Sequence, residues 1–231
     1  MQGKEKSMIL EKSIIHEINE SMVPPQMCVT IDDAKDIARQ LTDMRMMYHA
    51  AIMEVSTKFE VLDNEYSVKK DYNPIHHMVC RVKSLKSIID KIERKGLPME
   101  LESVSKITDI AGIRVICNYI DDVYHVSESL LRQDDIKLIR TRDYIKEPKE
   151  SGYRSLHHVV EVPVFLSQKT CYIPVEIQLR TIAMDTWATL EHQLKYKPAT
   201  ILSPDVVQEL KDCAMTMAEI DDKMEKIHKM K

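Results

Sequence analysis

The chain has 231 residues, 44% of them hydrophobic and 30% charged, and a formal net charge of −4. These values suit a globular protein with a sizeable core and exclude a polyelectrolyte binder, so a polyanionic ligand needs a local basic cluster that the average conceals. Only four glycines occur, Gly3, Gly96, Gly112 and Gly152; no GxGxxG or GxxxxGK[ST] loop can be built from them, and side chains must hold any nucleotide phosphates.

Taken in chain order, residues 6–20 predict a short amphipathic helix ended by Pro24 and Pro25. A long helix follows from Thr30 to about Leu62, with Ile37, Leu41, Met44, Tyr48, Ala51, Val55, Phe59 and Leu62 stepping by three and four. A third helix covers Ser84 to Arg94 and stops at Gly96 and Pro98. The period then changes. Gly112–Asn118, Ile136–Asp143, Tyr153–Val164 and Cys171–Leu179 read as strands, with a helix near Val123–Arg132 that implies a βαβ-type crossing and a mixed sheet. Another helix runs from Ile182 to Tyr196, before Pro198. In the tail, Val206, Leu210, Cys213, Met217, Ile220, Met224 and Ile227 form an a/d seam. That seam fits either docking on the Ile37–Leu62 helix or a contact between subunits.

Aromatic residues are scarce and methionines number 15, so core and interfaces draw on Met, Ile, Leu and Val. The five cysteines, Cys28, Cys80, Cys117, Cys171 and Cys213, contain no CxxC pair and read as free thiols. No apolar run reaches the ~18–20 residues that span a bilayer, and the start lacks a secretory signal pattern. A cytoplasmic location is expected.

Four groups carry chemistry. On the Cys171–Leu179 strand, alternation puts Ile173, Val175, Ile177 and Leu179 on the core face and Tyr172, Glu176, Gln178 and Arg180 on the other. A carboxylate there marks a site or a solvated outer face. Asp109 precedes the next candidate strand and offers a hard oxygen to Mg²⁺, while Arg114 offers a planar cation for a base or a phosphate, though such a pair also fits a salt bridge. Arg81 and Lys83 lead into a helix whose Ser87, Lys91 and Arg94 share a face, a comb able to hold a triphosphate or simply a basic surface. The fourth group is Arg142, Lys149, Tyr153 and His157. Tyr153 follows the turn at Ser151-Gly152, where its ring can stack on a purine or serve structure alone.

The segments RVKSLKSI (81–88), ITDIAGIRV (107–115), SGYRSLH (151–157), VEIQLRT (175–181) and AMDTWATLEHQLKYK (183–197) together resemble the synthetase domain of the RelA/SpoT family. Within it the chain resembles the small alarmone synthetases, RelP-like rather than RelQ-like. The resemblance implies an α+β fold: a mixed sheet of about five strands flanked by helices, nucleotidyltransferase-like, with helical extensions at both ends. Residues 1–70 would form the N-terminal helical extension, 71–200 the synthetase domain and 201–231 the C-terminal helix.

What the resemblance implies for function is transfer of the β,γ-pyrophosphate of ATP to the 3′-hydroxyl of GDP or GTP. Arg81 and Arg114 would flank the adenine, with Lys83, Ser87, Lys91 and Arg94 on the ATP phosphates. Asp109 would bind Mg²⁺, and Glu176 would activate the acceptor hydroxyl close to the metal. Tyr153 would stack on guanine, and Arg142, Lys149 and His157 would contact the acceptor phosphates. Gln178, Asp185, Glu191 and His192 would close the acceptor pocket. The family often carries Asn where this chain has Asp185, which keeps an acceptor but loses the amide donor. No His-Asp dipeptide occurs, so a synthetase without the hydrolase is expected, as a homotetramer. Two other readings of the same fold are a non-catalytic nucleotide-responsive RNA-binding regulator and a nucleotidyltransferase that moves AMP.

Overall fold

The computed structural model describes residues 31–69, 71–98, 100–195 and 202–230. The helix expected at 6–20 lies outside them. Chain order is α1 (Ile31–Lys69), β1 (Ile75–Val82), α2 (Leu85–Arg94), α3 (Leu101–Ser105), β2 (Ala111–Cys117), α4 (Ile120–Leu131), β3 (Lys137–Asp143), β4 (Leu156–Phe165), β5 (Thr170–Thr181), α5 (Ile182–Lys195) and α6 (Pro204–Lys229). The strands form one mixed sheet in the order β1-β2-β5-β4-β3. Only β2 and β5 pair in parallel; the other three pairs are antiparallel. β3 therefore runs parallel to β2, and α4 makes the expected crossing from one to the other.

The core lies on one face of the sheet. Leu41, Tyr48, Ala51, Val55, Phe59, Leu62 and Tyr66 form the buried stripe of α1, which lies against β1, β2, β4 and β5. Ile113, Val115, Val175, Ile177 and Leu179 face it from the central strands and are essentially inaccessible. Period-3.6 and period-2 patterns meet there, which is why the sequence shows both so clearly. The helix α2 begins at the N-cap Ser84. It ends in a Schellman turn, with Gly96 N–H donating to Glu93 O and Leu97 N–H to Ile92 O, and Gly96 at φ +63°.

The structure departs from the sequence reading in four places. β1 is a strand where Arg81 and Lys83 were expected only to lead into a helix; as a mostly exposed edge strand it shows no apolar alternation. The short helix α3 has no sequence signal. β4 starts at Leu156 rather than Tyr153, which leaves Tyr153 in a loop. The helix α6 packs on α5 and α4, not on the Ile37–Leu62 helix. It does so through Ala214, Asp221 and Glu225, while Val206, Ile220, Met224 and Ile227 of the seam are exposed. The polar face docks because its carboxylates have buried partners: Thr181 Oγ1 donates to Asp221 at 2.7 Å, and Asp121 N–H donates to Glu225 at 3.2 Å.

Candidate functional site

Strand register builds the site. On the face opposite α1, Val79, Arg114, Gln178, His157 and Arg142 fall in one row across all five strands, and Arg81, Gly112 and Glu176 lie in the neighbouring row. Paired residues point to the same side of a sheet, so cations, amide and carboxylate converge there without a glycine loop. A cleft of about 550 Å³ opens over β1, β2 and β5, lined by Arg81, Lys83, Asp109, Arg114, Glu176 and Gln178 among others.

At one end of the cleft, Asp109 Oδ2 accepts from Lys83 Nζ at 2.8 Å and also from Lys91 Nζ. Burial alone would raise this carboxyl, but the two ammonium groups outweigh it and hold it below the usual carboxylate range. Its other oxygen, Oδ1, is buried with no hydrogen-bond partner among the described residues. A buried carboxylate oxygen without a partner is costly in isolation and fits a hard divalent cation. Mg²⁺ is commonly held by one or two carboxylates plus substrate phosphates, and Asp109 with Glu176 supplies that set. Ser87 is half-buried and shares a hydrogen bond with the N-cap Ser84 at 2.9 Å. Arg94 is exposed in the last turn of α2, one turn beyond Lys91.

Glu176 sits at the centre. Gln178 Nε2 donates to its Oε2 at 2.8 Å, and its Oε1 lies 3.8 Å from His157 Nδ1. Burial pushes the Glu176 carboxyl up, while His157 and Gln178 pull it further down, so it is ionised at neutral pH. Burial likewise lowers His157, against the opposing pull of Glu176, which leaves a neutral ring with one donor and one acceptor nitrogen.

Beyond Glu176 lies an aromatic cluster. Arg180 Nη2 donates to the Tyr153 hydroxyl oxygen at 2.5 Å, and that hydroxyl is 2.7 Å from His157 Nε2. The Tyr153 hydroxyl and His157 Nε2 share one hydrogen bond whose direction follows the ring tautomer. Arg180, Tyr153 and His157 are thus linked by hydrogen bonds, with the Glu176 carboxylate 3.8 Å beyond His157 Nδ1. Lys149 Nζ stands 4.6 Å from the centres of both the Tyr144 and Tyr153 rings, and Arg180 lies 5.0 Å from the Tyr153 ring, within cation–π range. Arg142 donates to the Tyr144 hydroxyl at 3.2 Å. The Tyr153 ring is therefore engaged by cations rather than left open by its turn.

The structure thus gathers Arg81, Lys83, Lys91, Asp109, Arg114, Glu176 and Gln178 in one region, and Arg142, Lys149, Tyr153 and His157 in the adjoining one. Asp185 stands between them, bonded to Arg114 and Arg180. Glu191 and His192 lie six and seven residues farther along α5, roughly 9–10 Å beyond Asp185 at 1.5 Å per residue. Sequence reasoning left two members out of the site. Alternation puts Arg180 on the same strand face as Glu176 and Gln178 but assigns it no role; Tyr144 has no periodic signal.

A mixed sheet whose open face sets cations on both sides of two carboxylates has the charge arrangement that phosphoryl transfer on a nucleotide calls for. The region found in RelA / SpoT proteins matches residues 80–200. Over 195 residues the chain is 40% identical to the GTP pyrophosphokinase YwaC of Bacillus subtilis, covering 84% of this chain and 93% of that protein. The crystal structure of small alarmone synthetase 1 from Bacillus subtilis bound to its product pppGpp superposes with a TM-score of 0.78 at 35% identity, over 83% of this chain and 98% of that one. Small alarmone synthetase 2 of the same organism does so at 0.76 and 40%, over 83% and 99%. The chain belongs to the RelA/SpoT family.

Proposed function

We propose that the chain is a GTP pyrophosphokinase that moves the β,γ-pyrophosphate of ATP to the 3′-hydroxyl of GDP or GTP, giving ppGpp or pppGpp and AMP, without hydrolase activity. The observation that carries this reading is Glu176, ionised and in acceptor form, between a lysine-clamped Asp109 on one side and the Tyr153–His157 chain on the other. ATP occupies the Asp109 side. Arg81 and Arg114 are diagonal neighbours on antiparallel strands, about 7–8 Å apart in such a pair. Two van der Waals contacts of roughly 3.5–4 Å, one on each face of a planar base, need the same gap. Lys83, Ser87, Lys91 and Arg94 follow the phosphates from the amino end of α2 outward, and the helix dipole adds positive potential only at that amino end, near Lys83 and Ser87.

The acceptor occupies the Tyr153 side, with guanine on the ring and Lys149, an exposed side chain, turning with Arg142 and His157 to its phosphates. Gln178, Asp185, Glu191 and His192 complete this pocket. The acceptor 3′-oxygen attacks the β-phosphorus, the bond to the α-phosphate oxygen breaks, and AMP leaves. Glu176 takes the hydroxyl proton, and His157 keeps the carboxylate oriented. Mg²⁺, held by Asp109 and Glu176, would neutralise charge on the phosphates. The remaining work is positioning and electrostatic stabilisation.

The same reading includes a cytoplasmic, RelP-like enzyme with its synthetase domain at 71–200. No helix among the described residues is long and apolar enough to cross a membrane. A homotetramer is supported by the exposed apolar stripe Val206, Ile220, Met224 and Ile227 on α6. Incubation with γ-labelled ATP and GDP or GTP tests the activity. Label in the guanine nucleotide is expected. Label in free pyrophosphate would mean AMP transfer, and unmoved label a regulator without turnover; either result overturns the proposal.

A further inference from the structure

A single carboxylate oxygen joins the two halves of the cleft. Asp185 Oδ1 lies 3.2 Å from Arg114 Nη1 and 3.2 Å from Arg180 Nη1. Arg114 lines the donor side beside Arg81. Arg180 lies behind the acceptor side. Its Nη2 reaches the Tyr153 hydroxyl at 2.5 Å and Gln178 Oε1 at 2.9 Å, and its Nε reaches Ser155 Oγ at 3.4 Å.

The carboxylate carries one charge and the guanidiniums two, so they compete for it and repel each other. The competition is uneven. The Arg180 side chain is 5% exposed and has nowhere else to place its charge, whereas that of Arg114 is 38% exposed. Arg114 also keeps a buried Nε without a hydrogen-bond partner among the described residues. Arg114 is therefore the less firmly satisfied of the two, and it is the one a donor nucleotide meets.

We propose that Asp185 is a positioning residue that couples the two nucleotide pockets. A donor nucleotide that draws Arg114 away leaves Asp185 wholly to Arg180, which then holds Tyr153 and Gln178 more firmly for the acceptor. The inference rests on the pocket assignment made above. Coupling of this kind is positive, and linkage makes it reciprocal: each nucleotide tightens the other by the same factor. Measured couplings commonly span about 5–150-fold, and one relieved, partly solvated ion pair places this one near about fivefold.

Titration calorimetry on the full chain tests it, with an α,β-methylene ATP analogue that cannot transfer and with GDP, each measured alone and in the presence of the other. The wild type should show a ratio of about five, and Asp185→Ala should bring it to about one. Asp185→Asn, which keeps the oxygen and loses the charge, should fall between them. A wild-type ratio near one overturns the proposal, as does a wild-type ratio retained in Asp185→Ala. Should Asp185→Ala fail to fold by circular dichroism, Asp185→Asn decides: a ratio equal to the wild type overturns it. The label-transfer assay on the wild type separates the two readings. Transfer without coupling sinks this inference alone; coupling without transfer sinks the assigned reaction alone.

Discussion

Gly152→Ala would place a methyl group where the loop before Tyr153 has no room for one. Gly152 sits at φ +89°, and an added Cβ would lie 2.5 Å from Ala214 Cβ on α6. Ala214 has no rotamer to change, so backbone must move. Holding an L-residue in the left-handed region costs roughly 1–2 kcal/mol, and overpacking adds roughly 1–3 kcal/mol. A total of roughly 2–5 kcal/mol corresponds to a loss of about 4–20 °C in Tm for a chain of this size. Some of the strain will instead move the loop, and Tyr153 with it, which raises KM for GDP while leaving KM for ATP close to the wild type. The double variant Gly152→Ala/Ala214→Gly removes the clash but keeps the φ strain, and the helical glycine costs about 1 kcal/mol. Thermal unfolding and steady-state kinetics on the four proteins of this cycle should show partial recovery. A neutral Gly152→Ala, or no recovery on adding Ala214→Gly, would refute the close approach of loop and helix.

Glu176→Gln should abolish transfer while calorimetric ATP binding persists, because the amide cannot take the hydroxyl proton; wild-type turnover would remove Glu176 from the reaction. Tyr153→Ala should raise KM for the acceptor by the roughly 1–3 kcal/mol of a base stack. Tyr153→Phe keeps the ring but strips a partner from both Arg180 and His157, so it should affect KM less and stability more; equal KM effects would sink the stacking role. His158, bonded to Ser127 at 2.7 Å and Thr141 at 2.9 Å, is pushed by burial from 6.5 to about 4. The folded state thus favours its neutral form, so stability should fall as pH drops from 6.5 toward 4, by up to roughly 3 kcal/mol. His158→Gln should remove that part of the slope, and an unchanged pH profile of Tm would refute it.

Much of this protein was legible in the chain alone. Repeating steps of three and four announced α1, and alternation on β2 and β5 separated Ile113, Val115, Ile177 and Leu179 from Arg114, Glu176 and Gln178. These patterns are visible because burial on one side of a helix or strand imposes a period on the sequence. Of the cations named from the motifs, Arg81, Lys83 and Arg114 line the cleft. What the pattern could not carry was pairing between distant segments. β1 is an edge strand with water on most of its length, so nothing in its composition marks it. The seam on α6 was plain, yet the helix docks by the adjoining face of Ala214, Asp221 and Glu225, with Met217 of the seam packed beside Ala214, since Asp221 and Glu225 find partners only once α4 and β5 are in place. Arg180 stood on the right strand face, but its hold on Tyr153, Gln178 and Asp185 depends on a loop and a helix brought together across 27 and 5 residues. Local periodicity therefore decided the elements and the faces they bury. The tertiary structure alone decided which polar groups meet, because a hydrogen bond is a matter of a few tenths of an ångström and no sequence spacing sets that distance between separate elements.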